Sequence, residues 1–386
     1  GPAGARRVKH PTDHIFGQTP ETLGAWCESR GLAPFKAKQI LDWVYAKGVV
    51  DPEAMSNLSK REREMLREGV VFLSGDVLAH QRASDGTQKL LVQWTDGDAR
   101  PVSSVPEAGT LALPVLGSHV EPDMKRQTEC VMIPADDRRT ACISSQVGCP
   151  VGCRFCASGL SGLDGNLSAG RIVEQVWRLS RILRGTDEVG RVTNVVFMGM
   201  GEPLSNLGSV VPAVRTLAAP WGMGISARRI TISTVGLPKA IEKLAEQLDL
   251  PVTLALSLHA PDDAIRRQLI PWAEYTTIEE LLGACQKWFQ KTGREITLEY
   301  TLLRGVNDRP QHAKQLADLA KTLRANVNLI RYNEVEGLEF KRPRTEDVLA
   351  FQQILVQGRV NAHIRASRGR DIAAACGQLR HEHQTA

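Results

Sequence analysis

The chain has 386 residues, 42% hydrophobic and 24% charged, a composition that excludes a largely disordered or collagen-like protein and leaves room for two or three domains. Forty-eight basic against 43 acidic residues give a net charge of +5, which permits a polyanionic partner but falls short of a dedicated nucleic-acid domain. No apolar run reaches 18 residues and no signal-peptide order occurs, so no membrane is expected and the cytoplasm is the expected location.

Gly1-Pro2 reads as a tag-cleavage scar, and residues 1–18 as that remnant with a flexible N-terminus. Residues 19–75 form a small helical module. Thr19-Pro20-Glu21 offers a cap with a first-turn proline, and Ile40, Leu41, Val44 and Tyr45 recur at helical spacing. Its aromatics Trp26, Phe35, Trp43 and Tyr45 fit a core better than stacking platforms. Residues 76–135 change rhythm: a turn at Ser84-Asp85-Gly86 leads into Lys89–Trp94 as a hairpin, and Pro106–Pro122 reads as a Gly/Pro-rich surface loop.

From residue 136 onward short apolar runs alternate with helical segments, the pattern of repeated βα units on a parallel sheet. Strands are expected at Thr140–Ser145, Thr193–Met198, Ile230–Thr234, Val252–Leu258, Ile296–Leu302 and Asn326–Arg331, with a further one at Ala362–Ala366. Helices are expected at Ser168–Leu183, Gly208–Ala218, Pro238–Gln247, Ile278–Lys291, His312–Leu323 and Thr345–Val356. The fold class is therefore α/β.

Three of the eight cysteines fall within eight residues, Cys149, Cys153 and Cys156, spaced C-x3-C-x2-C among glycines directly after the first barrel strand. Such clustering favours metal binding over a disulfide framework. A structural zinc site needs four closed ligands, and only Cys142 or a distant residue could supply a fourth; an iron-sulfur cluster on three thiolates keeps one iron open for a ligand. Functional groups of parallel barrels sit at the C-terminal ends of strands. Gly199-Met200-Gly201-Glu202-Pro203, Thr231–Thr234, Ser257-Leu258-His259 and Tyr332-Asn333 all fall there.

With Phe155 preceding the third cysteine, this motif resembles the signature of the radical S-adenosylmethionine superfamily. The resemblance implies a partial barrel of six βα units and a 4Fe-4S cluster on Cys149, Cys153 and Cys156. It also implies a methionyl group chelated by the open iron, and a 5'-deoxyadenosyl radical on reduction. Cys142–Cys149, Val192–Glu202 and Arg365–Leu379, which holds Cys376, together resemble the RNA adenine-C2 methyltransferases of that superfamily, which act on 23S rRNA and tRNA. That resemblance implies S-adenosylmethionine contacts at Gly201, Glu202, Ser233, Ser257, Leu258, His259 and Asn333. Cys376 would carry the methyl group, two S-adenosylmethionine molecules would be used per turnover, and Cys142 would resolve the protein-RNA adduct through a transient disulfide with Cys376. Glu129 would sit at a proton-acceptor position. A protein electron donor such as flavodoxin is implied, the helical module is implicated in RNA binding, and a monomer is expected.

An aromatic C2 is an electron-poor sp2 carbon and cannot attack a methyl sulfonium as a thiolate can, which explains the need for a carrier thiol and a radical. Arg365, Arg368 and Arg370 beside Cys376 are expected to contact RNA phosphates. Two rival readings are an adenine-C8 methyltransferase conferring antibiotic resistance and a non-catalytic, zinc-dependent RNA-binding protein. Cys130, beside Glu129, has no assigned role.

Overall fold

The computed structural model describes residues 8–101 and 121–379; the N-terminal scar and nearly all of the Pro106–Pro122 stretch lie outside the described residues. Three helices form the N-terminal module: α1 (Pro20–Ser29), α2 (Lys36–Tyr45) and α3 (Lys60–Gly69). Thr19 caps α1 with Pro20 in its first turn, and Ser59 with Glu62 boxes the start of α3, each satisfying backbone N–H groups that a helix start leaves open. Leu23, Ile40, Leu41, Val44 and Leu66 join one continuous hydrophobic core with α4 (Ala169–Leu183). Trp26 is in that core, and Trp43 and Tyr45 pack on it. Phe35 departs from the expectation at 61% exposed, because it sits at the N-cap of α2, outside the apolar stripe.

The seam between module and barrel is polar inside. Glu174 of α4 is fully buried, with its Oε1 accepting from Arg178 Nε at 2.8 Å and its Oε2 accepting from the Ser74 backbone and hydroxyl at 2.9 and 2.8 Å. His14 Nε2 lies 3.0 Å from the same carboxylate. Burial alone would raise this carboxyl, but the Arg178 charge and the bonds from His14 and Ser74 prevail and hold it at about 2.

Strands β1 (Gly75–Arg82) and β2 (Gln88–Trp94) form the expected hairpin, and β3 (Gln127–Ala135) joins it antiparallel. β3 then pairs with β4 (Arg138–Cys142). The extension is thus continuous with the barrel sheet. From β4 onward every neighbour is parallel: β7 (Asn194–Phe197), β8 (Ile230–Thr234), β9 (Thr253–Ser257), β10 (Ile296–Leu302), β11 (Ala325–Arg331) and β12 (Ala362–Arg365). The sheet is open, with β1 and β12 at its edges, so this is a partial barrel with a seventh parallel strand added. A small antiparallel pair, β5 (Gln146–Gly148) and β6 (Leu163–Asn166), brackets the cysteine loop.

Helices α5 (Leu207–Ala218), α6 (Pro238–Gln247), α8 (Ile278–Thr292), α9 (Pro310–Lys321) and α10 (Thr345–Gln357) fall within two residues of their expected bounds. The short α7 (Asp263–Leu269) was not expected; Asp262 caps it by accepting from the Ile265 backbone. The parallel pairing places the strand C-termini on one end of the barrel, and the site is there.

Candidate functional site

The cysteine loop is fixed by its backbone. Gly148 has φ 74°, and a Cβ there would lie 2.0 Å from the Gly162 carbonyl oxygen, the same oxygen that accepts from Cys149 N at 2.8 Å. Only glycine permits that closure. Arg154 N donates to Leu269 O at 3.0 Å, and Ala157 N to Gly377 O at 2.8 Å. Ser158 Oγ donates to Leu379 O at 2.6 Å. The C-terminal segment carrying Cys376 is therefore seated on the cysteine loop itself.

Cys149, Cys153 and Cys156 line one cavity together with Gly201, Glu202, Ser233, Ser257, His259, Glu299, Thr301, Arg365 and Cys376. Among the described residues, no group of three or more His, Cys, Asp or Glu side chains is gathered to hold a single metal ion; the three thiols form a wall of the cavity. Burial pushes Cys149 up to about 12 and raises Cys153 and Cys156 as well, and the charge of neighbouring thiolates opposes ionisation further. Such a set suits a cationic iron group, whose charge reverses the balance and holds thiols as thiolates. The residues fit a 4Fe-4S cluster.

Gly201 has φ 101°, and a Cβ would meet Gln146 Cβ at 2.7 Å and Ser145 Oγ at 2.8 Å. This close turn delivers Glu202, which is 2% exposed. Its Oε1 accepts from Leu204 N at 3.0 Å and its Oε2 from Val235 N at 2.9 Å. Burial nonetheless raises its pKa, opposed by those backbone donors. Ser233 and Ser257 Oγ atoms are 3.2 Å apart across β8 and β9. His259, at φ 56°, accepts at Nδ1 from Thr301 N at 3.0 Å and meets the Phe155 ring edge-on at 5.1 Å. Burial, and then the Arg266 charge, lowers it to about 3, so its imidazole is neutral at physiological pH.

Two expected contacts stand elsewhere. The Leu258 side chain is fully buried in the main core and does not line the cavity; its carbonyl accepts from Arg266 Nε at 3.3 Å. Asn333 lines a second, adjoining cavity. Its Oδ1 accepts from Arg342 at 2.9 Å, and its Nδ2 donates to the Cys376 carbonyl at 3.5 Å, so it braces the Cys376 loop.

That second cavity is lined by Cys142, Met198, Ile330, Asn333, Arg365 and Cys376. Cys376 lines both cavities. Both Cys142 and Cys376 are free thiols in this structure, with no disulfide between them. Cys142 is 5% exposed at the end of β4 and is pushed up to about 12, by burial first and then by the charge of Cys376. Glu129 does not line either cavity: it is 5% exposed, and its Oε1 is 2.7 Å from Lys89 Nζ, whose other bond is to Ala373 O at 3.4 Å. In this geometry Glu129 is part of an ion pair under the C-terminal segment. Cys130, one residue on, is fully buried in the main core.

Glu299 was missed by motif reading. It is 3% exposed; Oε1 accepts from Asn328 Nδ2 at 3.0 Å, while Oε2 is buried without a hydrogen-bond partner among the described residues. The available signal was alternation: Thr297, Glu299 and Thr301 share one face of β10, and Ile296, Leu298, Tyr300 and Leu302 the apolar one. Glu299 is in register with Ser257 on one side and Asn328 on the other.

Comparison with known proteins places these features in a family. The Radical SAM superfamily model matches residues 143–319, and the ribosomal RNA large subunit methyltransferase N-terminal domain model matches residues 14–71. The chain is similar to the probable dual-specificity RNA methyltransferase RlmN of Gloeobacter violaceus, at 42% identity covering 96% of this chain and 95% of the relative. It is also similar to the dual-specificity RNA methyltransferase RlmN of Dichelobacter nodosus, at 40% identity covering 95% and 93%. Among solved structures, a radical SAM methyltransferase from Sphaerobacter thermophilus superposes with TM-score 0.84 at 38% identity, covering 96% of this chain and all of that one. With the three thiols and Cys376 lining one cavity and Cys142 the adjoining one, the chain belongs to the dual-specificity RNA methyltransferase RlmN family, within the radical SAM superfamily.

Proposed function

We propose that this enzyme methylates C2 of an adenine in 23S rRNA, and in tRNA, with Cys376 as the methyl carrier. The single observation that carries the reading is the position of Cys376, which lines both the cavity of the three-cysteine loop and the cavity of Cys142. Cys149, Cys153 and Cys156 would hold the 4Fe-4S cluster. The cluster with S-adenosylmethionine supplies a carbon-centred radical able to activate a methyl group that polar chemistry leaves inert.

The protein's own residues do the rest. Gly201 allows close backbone approach and Glu202 stands beside it as an acceptor for an ammonium; Ser233 and Ser257 present hydroxyls; His259 supplies a neutral ring edge against the cysteine loop. The Cys376 thiolate accepts a methyl group from one S-adenosylmethionine, a second being consumed in the radical step. Cys142 lines one cavity with Cys376 and would attack its sulfur, so that the S–S bond forms as the S–CH2 bond to the RNA breaks and the released carbon takes up a proton to become the methyl group; two electrons from an external thiol then reduce the Cys142–Cys376 disulfide. Glu129, held by Lys89, would act on the departing C2 proton only if that ion pair opens. Among the described residues no helix is long and apolar enough to cross a membrane; a cytoplasmic monomer fed electrons by a flavodoxin-type donor accords with this reading.

The test is anaerobic reconstitution with iron, sulfide, S-adenosylmethionine, reductant and unmodified RNA, followed by mass spectrometry of the nucleoside digest. 2-Methyladenosine is the expected product. Finding only 8-methyladenosine would overturn the choice of carbon, and a colourless zinc protein that cleaves no S-adenosylmethionine would overturn the reading altogether.

A further inference from the structure

Arg365 ends β12, the strand added beyond the six βα units, and its side chain lines both cavities beside Cys376. Its neighbours in sequence go elsewhere: Arg370 is exposed, and Arg368 lines only the Cys142 cavity. The expectation that all three arginines meet phosphates therefore does not suit Arg365. Among the described residues its guanidinium makes one hydrogen bond, from Nη1 to Met198 Sδ at 3.2 Å, and a thioether is a weak acceptor. A guanidinium has five N–H donors, so most of them have no strong hydrogen-bond acceptor among the described residues. Its charge is favoured chiefly by the neighbouring Cys376 thiolate, and also by Glu299 and Cys142, against the cost of burial.

A donor so placed meets a particular acceptor. C2 of adenine lies between N1 and N3, both ring nitrogens with a lone pair and no hydrogen. If C2 is brought within bonding reach of a carbon carried by Cys376, one of those nitrogens comes to the guanidinium. A hydrogen bond there fixes the rotation of the base and draws electron density from C2, which favours addition of an electron-rich carbon centre.

We propose that Arg365 contacts the substrate directly, donating a hydrogen bond to a ring nitrogen beside C2 of the target adenine. This rests on the reading of Cys376 as methyl carrier. The rival role for the same side chain is a counter-charge for the Cys376 thiolate alone, and the two roles act at different steps.

The experiment uses the reconstituted full chain and its Arg365→Gln and Arg365→Lys variants, each checked for an unchanged melting temperature. Two readouts are taken: intact-protein mass for methyl uptake on Cys376 without RNA, and methylation of RNA carrying adenosine, 1-deazaadenosine or 3-deazaadenosine at the target position. Arg365→Gln is expected to slow methyl uptake far less than RNA methylation, which should fall about 100-fold, the scale of removing one well-placed donor, with partial rescue by lysine. One deaza substrate should slow the wild type about as much and slow Arg365→Gln no further. An equal loss of methyl uptake in Arg365→Gln, or a full deaza effect persisting in that variant, overturns the proposal. A wild type that takes up no methyl on Cys376 overturns instead the reading on which it rests.

Discussion

Glu174 and Glu299 are both buried carboxylates, 0% and 3% exposed, yet their surroundings are opposite. At the seam between helical module and barrel, Glu174 is bonded through both oxygens to Arg178 and Ser74 with His14 alongside, and is held at about 2. In the barrel mouth, Glu299 has one oxygen on Asn328 and the other without a hydrogen-bond partner among the described residues, and burial raises its pKa. An unmade hydrogen bond inside a protein is costly. The fold closes the first site on itself; the second leaves an acceptor facing a cavity, as Arg365 leaves donors, and that is the character of a site built for a ligand.

The comparison breaks if the two carboxylates prove interchangeable. Glu174→Ala strands Arg178 in the interior and is expected to cost about 3–5 kcal/mol, read by chemical denaturation, while Glu299→Gln keeps shape and is expected to cost under about 1 kcal/mol. Equal losses would contradict it.

A pH series sharpens the contrast. The Glu174 carboxyl sits below its ordinary 4.5 at about 2, so its contribution, about 3 kcal/mol by linkage, is present above pH 4.5 and lost as pH falls toward 2. Glu299, raised by burial, has the reverse sign and costs stability as pH rises past 4.5. Denaturation midpoints of Glu174→Gln should lose the acid slope; a variant that keeps it would show that another group carries the acid sensitivity.

A more local effect is expected at the turn that delivers Glu202. Gly201→Ala forces an L side chain to φ 101° against Gln146, a strain of about 1–3 kcal/mol. Equilibrium dialysis should show weakened S-adenosylmethionine binding alongside a lowered melting temperature; unchanged binding would mean that Glu202 is not held by this turn.

Much of this was legible from sequence for stated reasons. The βα rhythm survives because each parallel strand is a short apolar run flanked by amphipathic helices, so the bounds of β8 and β10 match residue for residue. The three thiols were legible because local spacing suffices to bring them to one loop. What spacing does not carry is direction in space. Leu258 follows β9 between Ser257 and His259, but its side chain is in the core; Glu129 and Cys130 alternate on β3, one to an ion pair and the other to the core. Arg365 looks like one of three basic loop residues until the seventh parallel strand carries it to the lining of both cavities.

The most direct test of the two-thiol arrangement is the fate of RNA on Cys142→Ala. Incubated with S-adenosylmethionine, reductant and RNA, this variant is expected to retain the nucleic acid covalently, and peptide mapping by mass spectrometry should find the adduct on Cys376. Product released at the wild-type yield, or an adduct on any other residue, would contradict the account.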